Sequence, residues 1–157
     1  YKDEKIVLFE DFAKKFLPKK LTFAIELKQE GIEKETFDII KKYATHNNIY
    51  ITSFKYKALE NMRKIDSNIK LSWLIEEKIN KNNIDKLLKI NGTQICPKAD
   101  NVTIDDIELA NKSGLRVRIW GVSNEKIMKN IYKFDIDGMT VNFPDKLQKL
   151  MEENNDE

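Results

Sequence analysis

The chain has 157 residues, 41% of them hydrophobic, which suffices for one globular domain with a buried core but not for two domains of ordinary size. Its 28 basic and 26 acidic residues leave a formal net charge of +2, so composition gives no overall field that would recruit nucleic acid or an anionic membrane. The single cysteine excludes an internal disulfide, and one cysteine with one histidine excludes a zinc site built from these residue types.

Short runs of apolar and β-branched residues recur along the chain and predict six β-strands. Helical patterns with one apolar face lie between these runs. A leading helix over residues 8–16 and a terminal helix over residues 144–153 bracket the series. The predicted strands cover residues 21–27, 49–54, 69–75, 93–97, 115–122 and 136–141.

Residues that cap helices mark several of the predicted boundaries. Thr103 and Asp106 have the spacing of a variant capping box ahead of one helix, and Gly114 stands where that helix would end. Pro144 follows the last predicted strand, near the start of the terminal helix. These signals support the boundaries independently of the apolar pattern.

The alternation of strand and helix predicts an α/β fold with parallel strands joined by right-handed crossovers. This pattern fits a (β/α) barrel or an open, doubly wound sheet, and composition does not choose between them. We expect a single domain over residues 1–157. It has a leading helix over 1–16, six strand-helix units over 21–141, and a terminal helix and tail over 143–157.

Four fragments occur in an order found in one enzyme family. They are residues 23–28 (Phe-Ala-Ile-Glu-Leu-Lys), 51–54 (Ile-Thr-Ser-Phe), 117–124 (Val-Arg-Ile-Trp-Gly-Val-Ser-Asn) and 137–145 (Asp-Gly-Met-Thr-Val-Asn-Phe-Pro-Asp). The ordered set resembles the glycerophosphodiester phosphodiesterase family. The resemblance implies a partial parallel (β/α) TIM-type barrel, with about six of eight strand-helix units. It also implies metal-dependent hydrolysis of glycerophosphodiesters to an alcohol and glycerol phosphate.

Glu26 and Lys28 are the strongest candidates for a functional site. They lie two residues apart on a predicted strand and therefore project from the same face, at the strand's C-terminal end where barrel active sites are built. By residue type alone, an ordinary ion pair at a strand end is the favoured interpretation, and the resemblance reverses that preference. The resemblance implies that Glu26 is one ligand of a divalent cation, calcium or magnesium, and that Lys28 contacts the substrate.

The same resemblance implies four further substrate-binding residues at strand ends. Trp120 also fits a plain core position, and Asn142 stands where the family usually has aspartate. Gly121 likewise stands where the family usually has threonine, and Cys96, a thiol without a base, is expected to have no role. The four substrate-binding residues are Ser53, Trp120, Asn124 and Asn142.

The family's His-Arg-Gly, Glu-x-Asp and His-Asp motifs do not occur where the resemblance requires them. In the family, two histidines serve as general acid and base, and three carboxylates hold the cation. The one histidine here, His46, ends a predicted helix and precedes a strand, so we expect it on the surface at the opposite end of the barrel. We therefore expect no catalytic residue in the chain, which as a fragment of a longer protein would be inactive alone.

The expected partner is a glycerophosphodiester substrate, and no nucleic-acid motif was found. The sequence contains no apolar run of roughly 20 residues and no signal peptide, so we expect a soluble domain. An alternative is a non-catalytic, barrel-derived module that binds a partner or associates through open sheet edges. A third alternative is an unrelated open α/β sheet.

Overall fold

A computed structural model describes residues 5–45 and 47–155 of the chain. His46, predicted to lie on the surface, falls outside the described residues. The chain forms two compact units, Tyr1–Leu71 and Ser72–Glu157, and the boundary lies inside a β-strand. The single domain predicted over residues 1–157 stays a prediction. No helix within the described residues is long and apolar enough to cross a bilayer.

Unit one, as far as it is described, alternates helices and strands. β1 and β2 run parallel, with Phe23 opposite Ile49 and Glu26 opposite Thr52. The elements in chain order are α1 (Phe9–Phe16), β1 (Phe23–Glu26), α2 (Glu33–Tyr43), β2 (Ile49–Ser53), α3 (Tyr56–Ile65) and the start of β3 (Lys70–Ile75).

The core of unit one forms where the amphipathic helices meet one another and β2. Helix α3 packs on β2, and α2 packs against both α1 and α3. Burial of a large aliphatic side chain contributes about 1.5–3 kcal/mol, so these contacts hold the unit together. The fully buried side chains include Leu17, Ile51, Leu59, Met62 and Leu71.

The turn from α3 into β3 is held by Arg63 and Asp66. The Arg63 guanidinium donates to the carbonyl oxygens of Asp66 at 3.0 Å and Ile69 at 2.7 Å. Asp66 Oδ1 accepts from the backbone N–H groups of Asn68 and Ile69. Partial burial lowers the pKa of Arg63, and the Asp66 carboxylate opposes that shift. The turn therefore sets where β3 begins.

Unit two continues the same alternation, with parallel strands in the order β3-β4-β5-β6. A β-bulge interrupts the pairing of β5 with β6 between Ile119 and Val122. The elements in chain order are the remainder of β3, α4 (Lys81–Lys89), β4 (Gln94–Pro97), a 3₁₀ helix (Ala99–Asn101), α5 (Ile104–Lys112), β5 (Arg116–Val122), α6 (Glu125–Ile131), β6 (Gly138–Val141) and α7 (Pro144–Asn155).

One face of the unit-two sheet carries a connected set of polar groups. The Ser72 hydroxyl donates to Gln94 Oε1 at 2.5 Å and lies 3.3 Å from Cys96 Sγ. Arg118 donates from Nε to Gln94 Oε1 at 3.3 Å and from Nη1 to Thr140 Oγ1 at 2.7 Å. Burial raises the pKa of the Cys96 thiol, which keeps it protonated. Cys96 therefore stands in a structural network.

The predicted elements are confirmed along the whole described chain. All six strands and both bracketing helices form, with boundaries shifted by one or two residues. Thr103 and Asp106 form the capping box of α5, Gly114 adopts φ +78° after that helix, and Pro144 is the first residue of α7. The sequence reading missed a second capping box, in which Asn80 and Asn83 cap α4.

Candidate functional site

Glu26 and Lys28 project to the same side of β1 because Leu27 between them is buried, with 2% of its surface exposed. Lys28 Nζ lies 3.4 Å from Glu26 Oε2, and the side chains are 81% and 33% exposed, respectively. An ion pair this exposed stabilises the fold by about 1 kcal/mol or less. Both groups are therefore accessible to a ligand. The pair also matches the alternative interpretation, an ordinary ion pair at a strand end.

Ser53 ties the end of β2 to the backbone between those two charged residues. Its Oγ donates to the Leu27 carbonyl at 2.7 Å and accepts from Lys55 N–H at 3.0 Å. Leu27 N–H in turn donates to the Thr52 carbonyl at 2.8 Å. The Ser53 side chain is fully buried, so in this structure it contacts backbone. Its predicted contact with substrate stays a prediction.

Thr52 is a candidate that the sequence reading missed. It is the register partner of Glu26, and registered residues of neighbouring parallel strands project from the same face of a sheet. Thr52 is 3% exposed, and its Oγ1 has no hydrogen-bond partner within the described part of the chain. A buried hydroxyl without a partner costs about 1–3 kcal/mol, so a bound polar group would relieve a penalty here.

Trp120, on β5 in unit two, has one hydrogen bond from its indole nitrogen and a lysine ammonium over its ring. Its Nε1–H donates to the Ile75 carbonyl at the end of β3, at 3.1 Å. Lys98, which follows β4 and bridges to Trp120, places Nζ 5.9 Å from the ring centroid. Lys98 Nζ also lies 3.7 Å from Asp100 Oδ2. The sequence reading missed Lys98, which brings a cation beside the predicted aromatic wall.

The backbone conformation explains why position 121 is a glycine. Gly121 adopts φ +75° beside the β5 bulge, a region that residues with a side chain rarely occupy. A Cβ at this position would lie 3.4 Å from Lys98 Cγ. Threonine, the residue usual in the family pattern, would be strained here, so this backbone accounts for the departure.

Asn124 and Asn142 each follow the C-terminal end of a strand. Asn124 is the N-cap of α6, and its Oδ1 accepts from the Ile127 N–H at 3.0 Å. Its Nδ2 lies 3.5 Å from Ser123 Oγ, so the amide N–H groups are weakly engaged. Asn142 is exposed and stands between β6 and α7. Their substrate contacts stay predictions.

Each unit therefore collects predicted site residues at strand C-terminal ends. Unit one brings together Glu26, Lys28 and Ser53, which are linked through Leu27. Unit two carries the other three, at the ends of β5 and β6. The C-terminal end of parallel strands is the usual position of active sites in (β/α) barrels.

The described residues do not form a complete ligand set for a divalent cation. No group of three or more histidine, cysteine, aspartate or glutamate side chains comes together in residues 5–45 and 47–155. Glu26 supplies one carboxylate, and the Lys28 ammonium lies beside it. Calcium and magnesium take about six or more oxygen ligands, so these residues do not make a metal site by themselves.

Comparison with known proteins identifies the family. The model of the glycerophosphoryl diester phosphodiesterase family matches residues 2–146, which is most of the chain. The chain belongs to this family. The resemblance read from the four sequence fragments is thereby confirmed.

Relatives and solved structures agree with this assignment. A glycerophosphodiester phosphodiesterase of Bacillus altitudinis is 26% identical over 135 residues, covering 82% of this chain and 55% of that protein. The crystal structure of a protein from Galdieria sulphuraria, described as a putative glycerophosphodiester phosphodiesterase, aligns with TM-score 0.82 at 17% identity. The alignment covers 92% of this chain and 63% of the Galdieria chain. An Oleispira antarctica phosphodiesterase in complex with the product sn-glycerol-3-phosphate aligns with TM-score 0.75 at 18% identity, over 84% and 56%.

These similarities confirm the fold class as a parallel (β/α) barrel type with six strand-helix units, and they rule out an unrelated open sheet. The chain spans between 49% and 65% of the lengths of the curated relatives that it matches.

Two substitutions of Asn124 test its role as the N-cap of α6 independently of any contact with a ligand. Asn124→Ala removes the acceptor for Ile127 N–H and should lower the free energy of unfolding by about 1 kcal/mol. Asn124→Asp keeps an acceptor oxygen and should unfold at the same urea concentration as the parent chain. Equal destabilisation by both substitutions would contradict the assignment of Asn124 as a helix cap.

Proposed function

We propose that this chain contributes part of a site that hydrolyses glycerophosphodiesters to an alcohol and glycerol phosphate. The family match over residues 2–146 is the observation that carries the proposal. The site chemistry supports it, because a carboxylate and an ammonium stand on one face at the end of β1. A phosphodiester anion needs a positive partner, and a bound cation needs carboxylate oxygen.

In this proposal Lys28 offsets the charge of the phosphodiester. Its side chain is 81% exposed and forms a weak ion pair with Glu26, so the ammonium can move to a phosphoryl oxygen at little cost. The unpartnered Thr52 hydroxyl lies on the neighbouring strand, in register with Glu26, and supplies a further donor for a ligand oxygen. Ser53 fixes the backbone from which Lys28 projects and is the third substrate-side group of unit one.

The glycerol moiety suits the groups of unit two. The Trp120 ring offers an apolar wall whose position is set by its hydrogen bond to Ile75. The amides of Asn124 and Asn142 offer donors and acceptors that match hydroxyl groups. Lys98 over the ring places a positive charge beside this wall, within unit two. The Oleispira antarctica phosphodiesterase was solved in complex with sn-glycerol-3-phosphate, and we propose the same kind of ligand for this chain.

Hydrolysis requires groups beyond those described. Water must attack phosphorus while the P–O bond to the alcohol breaks, and the departing oxygen must receive a proton. Glu26 would be one ligand of a divalent cation, which would supply polarisation of the phosphoryl group. No general acid or base is assigned to the described residues, and association through sheet edges stays a separate proposal.

The first prediction is that the purified 157-residue chain does not hydrolyse glycerophosphocholine. Release of glycerol phosphate should stay at the buffer rate with calcium or with magnesium. Residues 5–45 and 47–155 contain no histidine and no group of three or more carboxylates that could hold a cation. Cation-dependent release that disappears in Glu26→Gln would overturn the expectation of inactivity. It would at the same time support the assignment of Glu26.

The second prediction concerns binding of sn-glycerol 3-phosphate, measured by isothermal titration at low salt. Lys28→Met should weaken binding roughly tenfold, because it removes a charge-assisted hydrogen bond to phosphate. Lys89→Met is the matched control, since Lys89 is also exposed and lies in the last turn of α4. An equal loss in both variants would show only a general charge effect and would count against the proposed site.

A further inference from the structure

A compact basic segment lies at the end of unit one that is remote from Glu26. Residues 12–21 contain four lysines and no acidic residue, although the whole chain has a net charge of only +2. The segment runs from the last turns of α1 to a point two residues before β1, whereas Glu26 is the last residue of β1. We call Lys14, Lys15, Phe16, Lys19, Lys20 and Leu21 the basic-aromatic patch.

Aromatic and apolar groups are interleaved with these lysines. Lys15 Nζ and Lys19 Nζ lie 5.4 and 5.2 Å from the centroid of the Phe16 ring, one on the helix and one beyond it. The ring of Phe12 packs against that of Phe16 in a tilted arrangement, with ring centroids 4.9 Å apart. Leu21 leaves 53% of its surface exposed. The patch therefore presents apolar surface and ammonium groups together.

The positive charge of the patch is not balanced by bound carboxylates. Within residues 5–45 and 47–155, none of its four lysines forms an ion pair. Glu10, in the first turn of α1, is held by Lys42 Nζ at 2.8 Å and the Tyr43 hydroxyl at 2.9 Å. Asp11 stands one turn before Lys15 and is the remaining acid of α1.

The neighbouring elements add positive charge and neutral polar groups. Helix α2, which packs against α1, carries Lys41 and Lys42 in its last turn, and of these two Lys42 is paired with Glu10. The loop after α2 contacts the patch through Thr45 Oγ1, which donates to the Pro18 carbonyl at 3.2 Å. Lys70, at the start of β3, donates to the Asn47 carbonyl at 2.8 Å in the same loop. The basic surface thus extends beyond one helix.

We propose that the basic-aromatic patch docks unit one on the surface of an anionic lipid bilayer. Lysine stems lie along apolar surface while their ammonium groups reach lipid phosphates, and exposed Leu21 can enter the headgroup layer. Each lysine near such a surface adds about 1 kcal/mol of attraction. The absence of arginine from residues 12–21 disfavours nucleic acid, which is read through bidentate guanidinium contacts.

The proposal is independent of hydrolysis and of the site at Glu26. The patch lies before the start of β1, whereas Glu26 is the last residue of β1 and Lys28 follows it. Docking through the patch would therefore leave these two side chains accessible. Local clustering, rather than net charge, provides the attraction, because screening limits each charge to about 10 Å at 0.1 M salt.

Co-sedimentation with lipid vesicles tests the proposal. The purified chain should bind phosphatidylcholine vesicles that contain phosphatidylglycerol and should not bind vesicles of phosphatidylcholine alone. Replacing Lys15 and Lys19 together with glutamine should lower the partition coefficient roughly 30-fold at low salt, from the contribution expected per lysine. Leu21→Ser should lower it roughly fivefold, since part of an apolar side chain no longer inserts.

A double substitution of Lys89 and Lys126 with glutamine is the control, because both lysines are exposed and the change in net charge is the same. Circular dichroism before and after mixing confirms that every variant is folded. Equal binding by the patch variant and the control would overturn the proposal. So would binding to a soluble polyanion, such as an oligonucleotide, that matches vesicle binding and is unaffected by Leu21→Ser.

Discussion

The buried side chain of Leu27 determines the direction in which the functional end of β1 points. A strand alternates its side chains, so burial of Leu27 turns Glu26 and Lys28 together toward the opposite face. The Ser53 hydroxyl then holds the Leu27 carbonyl at 2.7 Å, which fixes the backbone between the two charges. A packing constraint and one hydrogen bond thus deliver a carboxylate and an ammonium to the same place.

In unit two as well, a few contacts between neighbouring strands position the candidate groups. Trp120 reaches from β5 to the Ile75 carbonyl, and Lys98 from the end of β4 lies over its ring. Gly121 permits the backbone turn that follows, because its φ of +75° excludes most side chains. The wall proposed for the glycerol moiety is therefore assembled from the ends of three parallel strands.

The sequence predicts the elements well because each depends on local periodicity. Strands repeat every two residues and helices about every 3.6, and the capping box at Thr103 is visible as a pair of residues. Contacts between strands depend on register, which spacing along the chain does not contain. For this reason Lys98 over Trp120 and the unpartnered Thr52 hydroxyl were missed. The basic-aromatic patch was missed for another reason, since a net charge of +2 conceals local clustering.

Our central claim is the proposal that the C-terminal strand ends of this chain bind the glycerol phosphate part of a glycerophosphodiester. Chemical-shift mapping of the isotope-labelled chain during titration with sn-glycerol 3-phosphate tests this claim most directly. Shifts should concentrate at Lys28, Lys98, Trp120 and Asn142, with saturation at roughly millimolar ligand. Shifts confined to the basic-aromatic patch, or spread evenly over exposed lysines, would contradict the claim.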